Sequence, residues 1–210
     1  MQDDFYFTIQ SPLRAPDMRV KGSRFIASIF PVANKNEIEH AVDSLRKEFH
    51  DARHHSFAYR VGADAKLIRA ADDGEPNGTA GRPILLVLTS QKLTNVLLVV
   101  SRYFGGTKLG TGGLARAYAE AAQQAVSMSK IVKVYLTTGV DVQILYEDLP
   151  QMERLIHAFE GHIEESTYLD SVALRISLRQ SMVEQFLHAV TDTFHGRVNA
   201  VAHSGNPILQ

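Results

Sequence analysis

Two glycine-rich segments, residues 72–83 and 101–113, hold the residue types whose spacing could support chemistry. Eight of the fourteen glycines of the chain fall within 72–113. Glycine is used where the backbone must turn with a positive φ, or where another group must approach the backbone closely. Only one apolar stretch separates the two segments, so we predict that they lie side by side and form one binding surface.

The first segment carries three carboxylates within four residues, namely Asp72, Asp73 and Glu75. Their oxygens could bind Mg²⁺, and Asp73 or Glu75 could act as a general base. A turn in which Asp73 accepts a backbone hydrogen bond explains the same residues without chemistry. We favour a structural role in which Asp73 and Glu75 pair with Arg102. The chain has no zinc, haem, flavin or nicotinamide signature, so we expect no cofactor, with Mg²⁺ as the alternative.

The second segment leads directly into a predicted helix and is a candidate anion site. The N–H groups of residues 110–113 and the helix dipole would favour a phosphate-bearing ligand. No Gly-Lys-Ser/Thr follows, so this is not a Walker motif, and the glycines could instead only shape a tight turn. The ligand-binding residues that we predict for the whole surface are Arg53, Gly78, Thr79, Arg82, Arg102, Gly105, Gly106, Lys108, Gly110, Thr111, Gly112, Gly113 and Arg116.

Two adjacent histidines, His54 and His55, open a predicted strand. Successive strand side chains point to opposite faces, so the two rings cannot bind one metal ion without local distortion. One of them, with His54 as our candidate, could lie beside the acidic loop as a general acid or base. An ordinary polar strand residue is the simpler interpretation. The order of serine, histidine and aspartate in the chain matches no hydrolase triad.

Composition limits the class of protein. With 45% hydrophobic and 21% charged residues the chain is typical of a globular protein. It has no cysteine, which excludes disulfides and thiolate chemistry. No apolar run is long enough to span a bilayer, and the N-terminus lacks the pattern of a secretory signal. We therefore expect a cytoplasmic protein that does not bind membranes.

The charge is distributed unevenly. Residues 1–130 carry 17 Lys and Arg against 13 Asp and Glu, whereas residues 131–210 carry 5 against 10. A partner with many phosphates would therefore be bound by the first part of the chain, if by either. The same difference is also compatible with ordinary solvated faces.

Hydrophobic periodicity predicts the elements that position these segments. Before residue 130 we predict a helix at 35–49 capped by Asn34, and a helix at 112–128 capped by Thr111. Residues 83–91 fit either a helix or a buried strand. The predicted strands are 5–10, 23–32, 56–61 and 95–100, with a short extended segment at 66–70. The 95–100 strand is apolar on both faces, so we place it centrally in its sheet.

Beyond residue 130 the pattern changes to βαββαβ, which is the ferredoxin-like order, with its first strand predicted at 133–144. Asp148 is the predicted cap of the first helix, and Ser181 with Glu184 matches a capping box for the second. We therefore predict an α+β protein of two domains, with the binding surface in residues 1–130 and a ferredoxin-like module in 131–210.

Long motifs run through the first predicted domain. They are Lys21-Gly22-Ser23-Arg24-Phe25, Arg53-His54-His55, Asp72-Asp73-Gly74-Glu75-Pro76 with Gly78-Thr79-Ala80-Gly81-Arg82-Pro83, Val100-Ser101-Arg102-Tyr103-Phe104-Gly105-Gly106 and Leu109-Gly110-Thr111-Gly112-Gly113-Leu114. Together they resemble the signature of the IMPACT/YigZ family, and the resemblance covers the full length.

The resemblance implies a first domain with the βαβ fold of GHMP kinases and of ribosomal-protein C-terminal domains. It also implies a second domain like the C-terminal domains of elongation factor G. Eukaryotic relatives regulate translation initiation, but the resemblance names no reaction for the bacterial members.

We therefore expect a non-enzymatic binding or regulatory factor linked to translation. It would contact RNA, a ribosomal component or a translation-associated protein through the loops 72–82 and 102–116. One alternative is a Mg²⁺-dependent phosphotransferase or hydrolase that binds a nucleotide at 110–113. The other is an adaptor that binds only proteins.

Overall fold

The structure is a computed structural model that describes residues 4–203. The chain divides into two compact units: a first unit, Tyr6–Val134, and a second unit formed by the residues up to Phe5 together with those from Tyr135 onward. Both contain helices and strands, which confirms the α+β fold class. The division falls slightly later than residue 130, because the strand Ile131–Tyr135 pairs with the N-terminal strand Phe5–Ile9.

Between residues 4 and 135 the structure describes eight strands and three helices. The strands are β1 (Phe5–Ile9), β2 (Leu13–Arg14), β3 (Met18–Val20), β4 (Ser23–Pro31), β5 (His54–Val61), β6 (Leu67–Ala71), β7 (Val96–Tyr103) and β8 (Ile131–Tyr135). The helices are α1 (Lys35–Glu48), α2 (Gly81–Ser90) and α3 (Gly110–Met128).

A six-stranded sheet with β7 in a central position organises the first unit. The order is β2-β4-β7-β5-β6, and β3 also pairs with β4. Because β4 and β5 both run antiparallel to β7, they are parallel to each other, and α1 connects them as a βαβ unit. The expected central position of the 95–100 strand follows from its apolar residues on both faces.

The two faces of this sheet are covered by different helices. On one face Leu97 and Val99 of β7 pack in a core cluster with residues of α1. On the other, Leu98 and Val100 pack in a second cluster with residues of α2 and α3. A strand alternates its side chains between the faces, so β7 contributes to both cores.

The helix starts show which capping predictions hold. Asn34 caps α1 by accepting a hydrogen bond from the backbone N–H of Glu37 at 3.1 Å, as predicted. Residues 83–91, whose sequence fitted either a helix or a buried strand, form most of helix α2, with Pro83 in its first turn. Thr111 was expected to cap the next helix, and this is wrong: α3 begins at Gly110 with Leu109 at the cap position, so Thr111 lies inside the helix.

The second unit has the predicted βαββαβ order. Its elements are β9 (Thr137–Ile144), α4 (Leu149–Ala158), β10 (His162–Tyr168), β11 (Val172–Arg179), α5 (Val183–Thr193) and β12 (Asn199–Ala202). The strands form an antiparallel sheet in the order β10-β11-β9-β12. The helix residues Met152, Ile156, Phe186 and Val190 pack with this sheet in one core.

Two details of the second unit differ from prediction. The single strand expected at 133–144 is interrupted at Leu136, whose backbone N–H donates to the carbonyl of Asp4. Neither predicted helix cap forms: the Asp148 side chain accepts no capping hydrogen bond, and the Ser181 hydroxyl donates to the Asp4 carboxylate instead. Within residues 4–203, no helix is both long and apolar enough to cross a membrane.

Candidate functional site

The two glycine-rich segments meet at the edge of the sheet where β7 ends. Both neighbours of β7 begin there, since Arg24 of β4 lies opposite Tyr103 and His54 of β5 lies opposite Arg102. The loop 72–80 reaches the same edge, where the Asp73 carbonyl accepts a hydrogen bond from His54 Nδ1 at 2.8 Å. Because α2 and α3 follow these segments directly, both helices also begin at this edge.

A buried charged network lies beneath the edge. The Oε1 atom of Glu75 accepts hydrogen bonds from the Arg102 guanidinium at 2.7 Å and from the Tyr118 hydroxyl at 2.8 Å. Arg102 also donates to the Ser23 hydroxyl at 3.2 Å, and its guanidinium lies 5.5 Å from the centre of the Phe25 ring. Burial raises the pKa of Tyr118, and the nearby Glu75 charge raises it further, so the hydroxyl remains a donor.

This network assigns Glu75 and Arg102 to the interior. Arg102 is 5% exposed and Glu75 is 8% exposed. Glu75 pairs with Arg102 as expected, whereas Asp73 does not. The covered guanidinium of Arg102 connects β7 to the loop 72–80 and, through Glu75, to Tyr118 of α3. A ligand-binding role for Arg102 stays a prediction.

Asp72 organises the first glycine-rich loop. Its Oδ2 accepts a hydrogen bond from Gly78 N–H at 2.8 Å, and its Oδ1 accepts from Ala80 N–H at 3.0 Å and Gly81 N–H at 2.8 Å. Burial opposes ionisation, but the three donors outweigh it and lower the pKa of Asp72. Asp72 therefore caps the N-terminus of α2 from nine residues away.

Replacing Asp72 with asparagine should destabilise the first unit by about 1–3 kcal/mol at neutral pH, because the amide NH₂ cannot accept the hydrogen bond from Gly78. The folded-state pKa is lowered, so the carboxylate stabilises the fold above its unfolded pKa of about 4 and loses this effect as the pH falls through the folded value. Denaturant unfolding at several pH values measures the difference, which should shrink below about pH 4. A difference that does not vary with pH would contradict this role.

Asp73 faces the opposite side of the sheet from Glu75. Its carboxylate pairs with Arg46 of α1 at 2.9 Å and accepts a hydrogen bond from the His55 backbone N–H at 2.7 Å. The His55 ring contacts the Ser101 hydroxyl at 2.9 Å, and burial lowers the pKa of His55. The three carboxylates of the loop therefore point to three separate sets of partners.

His54 lies on the same face as Glu75. Because a carbonyl oxygen can only accept, its contact with the Asp73 carbonyl requires the proton on Nδ1. Its Nε2 is then directed towards Glu75, at 3.9 Å from Oε1. The acid–base role of His54 stays a prediction, as does Mg²⁺ binding. Within residues 4–203, no cluster of three or more histidines and carboxylates could hold a metal ion.

The second glycine-rich segment is held against the turn between β3 and β4. The backbones of Gly105 and Gly22 are in direct contact, so a Cβ added at Gly22 would lie 2.7 Å from the Gly105 carbonyl oxygen. The Gly105 N–H also donates to the Ser23 hydroxyl at 3.2 Å. The contact with Gly22 and Ser23 therefore holds the second glycine-rich segment in place at the point where the chain leaves β7.

Exposed cations surround this edge. They are Lys21, Arg53, Arg82, Lys108 and Arg116, which we call the basic edge. None of the five forms an ion pair with a carboxylate of residues 4–203. Two neighbouring arginines do form ion pairs: Arg24 pairs with Asp17 at 2.6 Å, and Arg46 pairs with Asp73.

The predicted site residues thus separate into two groups. Thr79 is buried, and its hydroxyl donates to the Pro76 carbonyl, so it belongs to the loop interior together with Arg102 and Glu75, while Asp72 and Asp73 are partly exposed. The predicted residues at the exposed surface are Arg53, Arg82, Gly105, Gly106, Lys108, Gly110, Thr111, Gly112 and Arg116, while Gly78 and Gly113 are partly covered.

Sequence reasoning did not include Lys21, Ser23, Phe104 or Tyr118 in the site. Lys21 could have been included, because it lies in the basic turn that precedes β4. Tyr118 fitted the apolar face of the predicted helix, and nothing in the sequence indicated that its hydroxyl bonds to Glu75.

Comparison with known proteins agrees with this architecture. Residues 21–126 match the model of the Impact N-terminal domain, and residues 142–197 match a domain of unknown function, DUF1949. A solved structure described as that of a hypothetical protein superposes with a TM-score of 0.70 and 32% identity, covering 98% of this chain and all of that chain.

Similar curated proteins cover most of the chain. The IMPACT family member YigZ of Escherichia coli (strain K12) is 35% identical over 87% of this chain and 91% of its own length. The IMPACT family member YvyE of Bacillus subtilis (strain 168) is 30% identical over 91% of this chain and 88% of its own length. From its motifs, its two matched domains and these relatives, the chain belongs to the IMPACT family.

Proposed function

We propose that this chain is a non-enzymatic binding factor that holds the phosphate backbone of an RNA along the basic edge. The observation that carries the proposal is the set of five exposed cations without ion-pair partners in residues 4–203. Cations that neutralise phosphates release condensed counterions, which favours binding without requiring a metal ion or a catalytic base.

The start of α3 adds to this surface. Leu109 occupies the cap position and provides no side-chain hydrogen bond, so the first-turn N–H groups face the same edge as Lys108 and Arg116. The start of α2 differs, because the Asp72 carboxylate already accepts from Ala80 and Gly81. An anion would therefore favour the α3 side of the basic edge.

The carboxylates support a binding role over a catalytic one. Asp72, Asp73 and Glu75 each accept hydrogen bonds from groups of this chain, and their partners lie in different directions. A phosphotransferase or hydrolase would need one of these groups to contact substrate or metal. Membership of the IMPACT family is the reason to seek the RNA in the translation machinery.

Binding of a short labelled RNA, measured by fluorescence anisotropy between about 50 and 200 mM salt, tests the proposal. We expect affinity to fall linearly on a log–log plot. Lys108→Gln and Arg116→Gln should each weaken binding and reduce the slope by about 0.7, the contribution of one contact to a single strand. Lys92→Gln is the matched control, because Lys92 is exposed between α2 and β7, at the opposite end of β7 from the basic edge.

Equal losses in all three variants, or binding that does not depend on salt, would contradict the proposal. ATP or GTP turnover that requires Mg²⁺ and is lost in Asp73→Asn would replace it with the enzyme hypothesis.

A further inference from the structure

One exposed aromatic side chain lies at the basic edge. Phe104 directly follows β7 and is 43% exposed. Among the large hydrophobic residues exposed in Tyr6–Val134, which the structure describes throughout, Phe104 is the only aromatic one. An exposed aromatic ring among unpaired cations differs from an isolated surface hydrophobic residue, because both groups recur together where proteins bind nucleic acids.

The position of Phe104 is fixed on both sides. The preceding residues belong to β7, and the following residue, Gly105, contacts Gly22 and donates to the Ser23 hydroxyl. The buried Arg102 guanidinium also lies 5.7 Å from the centre of the Phe104 ring and supports it from within the unit. A ring that is already ordered loses little conformational entropy when a flat ligand packs against it.

We propose that Phe104 is a stacking platform for a nucleobase and that the RNA held at the basic edge is single-stranded there. This inference rests on the proposed function, since the cations would hold the backbone while the ring contacts a base. In a duplex the bases are stacked inside and paired, so their faces are not available to a side chain. A single strand can present a base face and its phosphates to one surface together.

Stacking predicts a dependence on bases that a phosphate site does not have. Phe104→Ala should weaken the binding of oligouridine by about 5- to 150-fold, the range that corresponds to the loss of one stacked base. It should leave the weaker binding of an abasic oligomer of equal length unchanged. Phe104→Tyr and Phe104→Trp should retain the affinity for oligouridine, because each keeps a π face, whereas Phe104→Leu should not.

The experiment measures the anisotropy of labelled oligouridine, oligothymidine, abasic oligomer and an RNA duplex with the full chain and with each variant. Met128→Ala is the matched control, since Met128 is 49% exposed at the far end of α3. Stacking is supported if Phe104→Ala and Phe104→Leu bind oligouridine and oligothymidine more weakly while Met128→Ala does not. The ratio of the affinities for oligouridine and oligothymidine shows whether the surface prefers RNA or DNA.

Three results would overturn the inference, and they differ in what else they overturn. If Phe104→Ala binds oligouridine as tightly as the unaltered chain, while Lys108→Gln and Arg116→Gln bind more weakly, the stacking inference fails and the proposed function stands. If the duplex and the abasic oligomer bind as tightly as oligouridine, the surface binds phosphates without contacting bases, and the stacking inference fails. If no oligomer binds, both proposals fail.

Discussion

Replacing Arg102 with alanine should lower the free energy of unfolding of the first unit by about 3–5 kcal/mol, because it leaves the buried Glu75 carboxylate without its charged partner. Arg102 is almost fully buried and bonded to Glu75 at 2.7 Å. Such a loss is a large part of the 5–15 kcal/mol that is typical of a domain. Urea unfolding followed by circular dichroism measures it, with hydrogen exchange on β7 and α3 assigning the change to the first unit.

Two further variants separate a structural role of Arg102 from a ligand contact. Arg82→Ala, at an exposed and unpaired position, should change stability by less than about 0.5 kcal/mol. The double variant Glu75→Gln/Arg102→Met should lose less than Arg102→Ala, because it buries no unpaired charge. If Arg102→Ala were as stable as the unaltered chain and only bound RNA less tightly, the network would be a ligand site.

Replacing Gly105 with alanine should destabilise the first unit by more than about 4 kcal/mol or prevent its folding, which places it among the exceptional single substitutions. A Cβ at this position would overlap the carbonyl carbon of Gly22 and the backbone nitrogen of Ser23. Backbone atoms cannot move aside as a side chain can, so β4 and the segment after β7 would have to separate. Expression, circular dichroism and thermal unfolding of the variant measure the effect.

Gly112→Ala is the matched control for Gly105→Ala. Gly112 lies in the first turn of α3, and an added Cβ would meet only the end of the flexible Arg116 side chain, at 3.9 Å. Alanine is the better helix former by about 0.8–1.0 kcal/mol, so this variant should be as stable as the unaltered chain or more so. Equal destabilisation by both substitutions would show that the contact with Gly22 is not the cause.

The elements that depend on short-range patterns were predictable. Asn34 directly precedes the periodic segment 35–49, and this cap residue indicated the start of α1. The apolar residues of the 95–100 strand on both faces indicated a central strand, and the glycine-rich segments indicated one shared edge. These predictions succeed because helix periodicity, capping and strand burial are decided by residues that are close in sequence.

Caps that depend on distant partners were not predictable. Ser181 has the spacing of a capping box with Glu184, yet its hydroxyl bonds to Asp4, 177 residues away. Asp72, in contrast, caps α2 although no capping motif in the sequence places it there. A short polar side chain satisfies whichever donor or acceptor the fold brings closest, and sequence spacing does not identify that group.

The division of the site between interior and surface is the main result that sequence could not provide. Residue types and motifs established that carboxylates, arginines and glycines lie together, and they established the family of the chain. They indicated that Glu75 pairs with Arg102, 27 residues away, but they gave no sign that this pair is buried or that Glu75 also bonds to Tyr118, 43 residues away. An arginine counts equally in the composition and the net charge of the chain whether its side chain is buried or exposed. Its availability to a ligand depends on the packing of β7, the loop 72–80 and α3 around it, so it follows from the three-dimensional fold.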